Sequence, residues 1–418
     1  ILLLARSDSS ATGSIAGSVT KQKVQAKVKV AKGASVRSRE NVKVSSMAGN
    51  GVYDIDKTLR PSGYDKLTAE EKDKKDREVG HFVSDGKHKL LDVSSEVTID
   101  GVITAAKDLD VNSVAENRLI KSSATVADLS TGLTLEILGT ATPFNEAVYY
   151  ADLKTSSQIN VGKDASLSAS QNLSLDSLAD TKLEAGTSTS LYNLFNTDLS
   201  QKVPSIAAVV ALADSSSTVN VEGSLKAKKD LSITSSDDLV IEAAATAATK
   251  ESKAVQTSLL VAKLKGTSDI NVQSSALLGN EKDTGKIEIA SNQKSSVKTQ
   301  SAVAVQQGSY GGLAFNYTEL DTHSNVLLNT GFLNEALEAS VTAKNVTEDL
   351  TIKAENAVGA YGMSKLLFDT VAAVSRDFIA GLMGKAGQGV DSKFDSTKFK
   401  LGGAVGVVLG SQTSSVIV

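Results

Sequence analysis

The sequence has no cysteine and no tryptophan, and only three prolines and three histidines in 418 residues. Without cysteine there is neither a disulfide framework nor thiolate chemistry, although that absence alone fixes no redox compartment. Two of the histidines, His81 and His88, follow a polar stretch rather than a ligand motif, so no metal site is expected there. Nor does any spacing identify a nucleophile–base pair. With three prolines and no linker-like segment nothing divides the chain, which is nevertheless longer than a single globular core usually grows. The 44 basic and 48 acidic residues nearly balance, which provides no field for capturing nucleic acid or an anionic membrane. At 4% aromatic content, platforms for stacking sugars are scarce.

What the sequence has is a repeat. Between Ser156 and Leu183, Ile159 and Val161 flank one polar residue, Leu167 and Ala169 another, and Leu173 and Leu175 a third, with Gly, Asn, Asp and Ser between the bursts. Side chains two apart share a strand face, so each burst predicts a short strand and each gap a turn. The opening burst, often preceded by a Ser/Thr pair, returns at Val97–Ile99, Val219–Val221, Ile270–Val272 and Val326–Leu328, with weaker copies at Val28–Val30 and Val416–Val418. Second bursts follow at Val42–Val44, Leu109–Val111, Leu173–Leu175, Leu231–Ile233, Ile287–Ile289 and Leu350–Ile352, stepping by 67, 64, 58, 56 and 63 residues by subtraction of those positions.

A unit of roughly 60 residues built of short strands cannot bury its apolar face alone, so neighbouring units must stack. The fold expected is all-β: one continuous right-handed parallel β-helix over residues 1–418, the hand following from the usual crossover rule. Coils of about 20 to 25 residues would place two to three coils in each unit. The result would be roughly 14 to 17 coils in a rod on the order of 70 to 80 Å long. Ile1–Leu4 reads as a buried strand inside a repeat and carries no signal-peptide pattern. Because Val418 also falls in mid-burst, the chain is expected to be a segment of something longer.

Two stretches depart from the repeat. Residues 49–89 contain Thr68–Glu78, which opens with a Thr-x-x-Glu capping box and is polar all round, predicting a solvated helical excursion. Residues 361–400 carry Met363, Leu366, Leu367, Val371, Val374, Phe378, Ile379 and Leu382 at three- and four-residue steps. That spacing predicts one amphipathic helix or a kinked pair, packed on the solenoid or on a neighbour and too short and too charged to span a bilayer. Gly101, Gly162, Gly223 and Gly279 are expected as turn residues, which tolerate positive φ, and Pro143 and Pro204 between strands. Asn160, Asn220 and Asn271 are expected to point outward rather than to form a continuous ladder.

Stacked coils could build a glycan-active site from acids and a base on one face. The outward position of the second bursts tests this: Lys43, Asp110, Ser174, Ser232, Glu288 and Thr351 are chemically mixed. Asp237-Asp238 has no obvious basic partner, Gly311-Gly312 and Gly402-Gly403 open no calcium-binding repeat, and no nucleotide fingerprint occurs. The sequence therefore names no catalytic, cofactor-binding or metal residue and no cofactor.

The run from Ser216 to Ala247, SSTVNVEGSLKAKKDLSITSSDDLVIEAAATA, with apolar returns such as Ser205–Ser217, resembles the repetitive regions of large bacterial adhesins of the filamentous-haemagglutinin-like and leukotoxin type. The resemblance covers most of the chain outside the two inserts and rests on residue classes. It implies a right-handed β-helical shaft, exported to the cell surface or secreted, that serves adhesion or display and has no catalytic residues. Absence of cysteine suits such a chain. Expected neighbours are flanking coils of the same longer chain, copies of itself, and an unidentified ligand on a host or neighbouring cell; nucleic acid and a transmembrane segment are not expected. Two other classes compete, a self-assembling extracellular filament or sheath subunit and a β-helical polysaccharide-degrading enzyme.

Overall fold

The computed structural model describes residues 1–9, 21–50, 52–55, 80–83, 90–124, 145–188, 205–252, 256–279, 285–308, 312–329, 338–358 and 402–418. In chain order its strands begin with β1 (Leu2–Ser9), β2 (Lys21–Val30), β3 (Ser35–Ser38) and β4 (Val42–Asn50). A short pair follows, β5 (Val52–Ile55) and β6 (Gly80–Val83). Then come β7 (Leu90–Ile99), β8 (Val102–Ala105), β9 (Leu109–Ala124), β10 (Asn145–Val161), β11 (Ser166–Ala169) and β12 (Leu173–Ser188). The next six are β13 (Ser205–Val221), β14 (Ser224–Ala227), β15 (Leu231–Ser252), β16 (Gln256–Val272), β17 (Leu277–Leu278) and β18 (Lys286–Gly308). The series closes with β19 (Gly312–Leu328), β20 (Glu338–Val358) and β21 (Gly402–Ile417).

From β7 to β19 every third strand returns to the same sheet, the pattern of a parallel solenoid. Sheet I stacks β1-β4-β9-β12-β15-β18-β20, sheet II stacks β2-β7-β10-β13-β16-β19-β21, and a narrow sheet III stacks β3, β8, β11, β14 and β17. All neighbours within these sheets are parallel. Sheets I and II face each other, and sheet III closes one end of the flattened section between them.

The expected coil length was wrong. Ile159 pairs with Val219 and Val219 with Ile270, so one sequence unit makes one coil rather than two or three. The bursts are parts of much longer strands, 16 to 23 residues from β9 onward outside sheet III. Seven strands at about 4.8 Å give a stack about 30 Å high, while a 23-residue strand at about 3.3 Å per residue spans about 75 Å. The stack is wider than it is tall.

Polar residues inside the core explain why these strands look short. In β10 the inward positions run Tyr149, Ala151, Leu153, Thr155, Ser157, Ile159, Val161, all buried, and Thr155 and Ser157 interrupt the apolar alternation. In register, Ser95, Ser157, Ser217, Ser268 and Ser324 of sheet II oppose Ser113, Ser177, Ser235 and Ser291 of sheet I. Their hydroxyls link the sheets in a zigzag. Ser113 donates to Ser95 and Ser177 to Ser157, both at 2.9 Å; Ser217 donates to Ser177, Ser235 to Ser217 and Ser291 to Ser268 at 2.9 Å, with Ser268 to Ser235 at 3.0 Å. This seam separates two apolar clusters, one beside sheet III around Ile159, Leu175 and Ile233, the other around Leu153, Leu183 and Ile241. Removing one hydroxyl orphans its neighbour: Ser217→Ala is expected to lower unfolding stability by about 1–3 kcal/mol, read from the urea midpoint.

Outward positions also run as ladders. Lys23, Asp92, Lys154, Asp214, Lys265 and Asp321 are consecutive register partners of alternating sign, which opposes any slip of one coil against the next. Asn160, Asn220 and Asn271 do lie outside the core, half-buried, but they form the ladder that was not expected. Asn220 Nδ2 donates to Asn160 Oδ1 at 2.8 Å and Asn271 Nδ2 to Asn220 Oδ1 at 3.0 Å. With one unit per coil, recurrence per unit is recurrence per coil.

Other expectations fared unevenly. Gly279 has φ of +87°, but Gly101, Gly162 and Gly223 are not in the left-handed region. Close approach explains Gly223, where a Cβ would sit 2.5 Å from the carbonyl oxygens of Ala165 and Gly162. β1 is a strand, yet an end strand of sheet I, with Leu2 and Leu4 about half exposed, so it is not buried and not aligned with the runs preceding the Ser pairs. Within 49–89, Val52–Ile55 and Gly80–Val83 pair antiparallel, while Thr68–Glu78 lies outside the described residues, as do 361–400, Pro143, Pro204 and His88. No described residue is helical.

Candidate functional site

Lys43, Asp110, Ser174, Ser232 and Glu288 form one outward column on sheet I. Its sixth member is Ser340 rather than Thr351, which pairs with Lys298. The burst Asp349–Ile352 has the right alternation but lies farther along β20, beyond a register shift. Ser174 donates to Asp110 at 3.0 Å, an internal link within the column.

An acidic row exists elsewhere on the same face. Glu116, Asp180 and Asp238 are register partners on β9, β12 and β15, followed by Lys294 on β18. Their spacing repeats the unit period, which is the sequence signal for them, outside the second bursts. Arg118 donates from Nε to Asp180 Oδ2 at 3.1 Å and also from Nη2. Lys294 Nζ lies 3.1 Å from Glu348. Burial, then the neighbouring Asp180 charge, raises the Asp238 carboxyl, while Lys294 and Arg118 pull it down. Adjacent carboxyls beside a guanidinium are the raw material of acid–base chemistry. Here the guanidinium is engaged by Asp180, so the row is an ion-paired ladder tying coils together.

Asp237 and Asp238 point to opposite faces of β15, because successive side chains alternate. Asp237 is buried, and the Ser215 hydroxyl donates to its Oδ1. Gly266 gives it room, since a Cβ there would meet Gln293 Nε2 at 2.5 Å and Asp237 Oδ2 at 2.8 Å. Burial pushes the Asp237 carboxyl up to about 8, against the pull of Ser215, Gln293 and the Thr267 N–H and with help from the Asp238 charge. Asp237 Oδ2 and Gln293 Oε1 make no hydrogen bond among the described residues.

The outer face of sheet II divides in two. Toward the C-terminal ends of its strands it carries the alternating Lys/Asp column and the Asn ladder. Toward their beginnings it is apolar: the column Ala208, Leu259, Phe315, Val405 lies beside Tyr150, Val210, Val261, Tyr317, Val407. At its margin Lys263 Nζ stands 3.3 Å from Glu319 and 6.0 Å from the Tyr317 ring centre, and Tyr317 donates to Glu319 at 3.0 Å.

Among the described residues no group of three or more His, Asp or Glu could hold a metal ion, and no helix is long and apolar enough to cross a membrane. His323 points outward with Nε2 3.7 Å from Asp269 Oδ2. Comparison with family models, with curated proteins and with solved structures finds no match for this chain.

Proposed function

We propose that this chain is a structural stretch of shaft in a secreted or cell-surface bacterial adhesin, wound as a right-handed solenoid, that serves adhesion or display and catalyses no reaction. The hand is the one nearly always taken by parallel crossover connections. One observation carries the reading: register continues across seven strands in both long sheets, and polar side chains are largely used to join one coil to the next. Stability in such a stack is nearly a sum of coil and neighbour terms, which suits a structure extended coil by coil. Each coil of roughly 60 residues adds about 4.8 Å, so the shaft is broad and offers wide lateral faces rather than reach. Its neighbours are then flanking coils of the same longer chain, with an extracellular ligand of unassigned identity and no nucleic acid.

A filament or sheath subunit stacking on copies of itself is the second reading, favoured by the strand edges at the two ends of the described stack, β1 and β2 at one end and β20 and β21 at the other, which offer backbone groups for head-to-tail pairing. Electron microscopy of the native assembly separates the two. Density running on from both ends of this stack into further coils of one chain is the result expected. End-to-end or lateral contacts with identical copies would replace the shaft by the filament.

A further inference from the structure

The large apolar side chains that the stack leaves exposed gather at its two ends. Of the thirteen among the described residues, ten lie on or directly beside β1, β20 and β21, such as Leu2 and Leu4 at one end and Val408, Val416 and Ile417 at the other. Register shows what these ends fit. Followed from strand to strand, the inward columns of sheet I lead from Leu3 on β1 to Val341 on β20, from Ala5 to Ala343 and from Ser7 to Asn345. In sheet II they lead from Val28 on β2 to Val416 on β21 and from Ala26 to Ser414. One stack set on another with its columns continued therefore puts apolar on apolar, small on small and polar on polar. On the outside, Lys23 comes to stand over Ser411, with Asp321 one strand below, and Lys27 over Ser415. Two positions fit less well, Val24 over Gln412 and Arg6 over Lys344. Chain order agrees with the match: β20 and β21 end sheets I and II as β1 and β2 begin them, and every pairing is parallel.

We propose that the β20/β21 end of the stack is the docking surface for the β1/β2 end of a second copy, joined in the register that continues the columns, Leu3 over Val341 and Val28 over Val416. The inference rests on the reading of the chain as a filament subunit; in a shaft, a flanking coil of the longer chain takes the second copy's place on the same end face. Such a contact is head-to-tail and does not close on itself, so it propagates. Each copy adds seven strands to each long sheet, an axial repeat of about 34 Å.

The test uses the full chain, whose lack of cysteine allows two to be added without background. Gln25→Cys with Thr413→Cys places thiols at the two ends of one outward column of sheet II. Within one copy they are about 29 Å apart, too far to bridge, but across the joint they lie on adjacent strands. Gln25→Cys with Val407→Cys, set back along β21, is the control. Under mild oxidation the in-register pair is expected to give a ladder of covalent dimers and longer oligomers about tenfold or more above the control, and electron micrographs to show rods with the repeat of about 34 Å. Equal cross-linking in the two variants, or single stacks at every concentration, would overturn the proposal. Neither outcome touches the shaft reading, which stands or falls on density running on from both ends in the native assembly. A second variant covers the case in which the thiols disturb the joint. Ser411→Lys with Ser415→Lys changes outward side chains only and sets lysines against Lys23 and Lys27 of the next copy, while Asp321 of its own copy pairs with one of them. At low salt the concentration for half-association is expected to rise about tenfold. Association at the wild-type concentration would also overturn it.

Discussion

Raising the pH from 5 to 8 is expected to weaken the fold by up to about 4 kcal/mol through one side chain, Asp237. Its carboxyl is held near 8 in the folded chain because burial opposes the charge, against an ordinary value of 3.8. Between those two values the folded state keeps a proton that the unfolded state releases. Stability is therefore fully present below about 4 and falls by about 1.4 kcal/mol for each pH unit until the folded carboxyl ionises near 8. The groups facing Asp237 are the Ser215 hydroxyl, the Thr267 N–H and Gln293 from three other strands, with Asp238 beside it on its own. Asp176 and Asp238 are raised by burial as well and tilt the profile the same way. Asp237→Asn keeps the shape, cannot ionise, and should flatten most of the slope between pH 5 and 8 in urea unfolding. An unchanged slope would mean that Asp237 is charged in the fold.

The second large effect comes from the apolar columns. Leu183 is fully buried, in register with Leu119 on one side and Ile241 on the other. Leu183→Ala should cost about 2–5 kcal/mol, the transfer loss plus the cavity that a stacked column cannot collapse to fill. Leu350 ends the same column on the end strand β20 and is 46% exposed, so Leu350→Ala should cost under about 1 kcal/mol. Because each coil touches only its neighbours, hydrogen exchange in the Leu183→Ala chain should accelerate first in β9, β12 and β15. Acceleration spread evenly over the stack would show one indivisible core instead of a chain of coils.

Much of this architecture was legible. The Φ-x-Φ bursts placed strands at Val97–Ile99, Ile159–Val161, Val219–Val221 and Ile270–Val272, and these fall in one register column as the repeat required. Coil size was not legible, and the reason is physical. Burial does not demand apolar side chains when hydroxyls can satisfy one another, so Thr155, Ser157 and their equivalents broke the hydrophobic alternation of strands that continue through them. Reading each burst as a whole strand then shrank the coil and stretched the rod. The last unit misled for a related reason: Asp349–Ile352 imitates a second burst, but the β20 register follows Ser340 and Val341. At the level of function, the acidic row Glu116–Asp180–Asp238 was legible in the period. Its use was not, because which charge meets Arg118 depends on register across strands far apart in sequence.

One coil per unit is the claim on which the rest stands, and deleting a unit tests it most directly. Val161 and Val221 are register partners 60 residues apart, so joining Val161 to Glu222 removes one full turn and leaves every remaining residue in its column. The shortened chain is predicted to unfold cooperatively, with a far-UV spectrum of the same shape, and to be thinner by about 4.8 Å along the stack. A chain shortened instead by residues 162–183, about the length of the smaller coil first expected, should lose cooperative unfolding because every later strand changes column. If the shorter deletion folds and the full-unit deletion does not, the account of one broad coil per repeat is wrong.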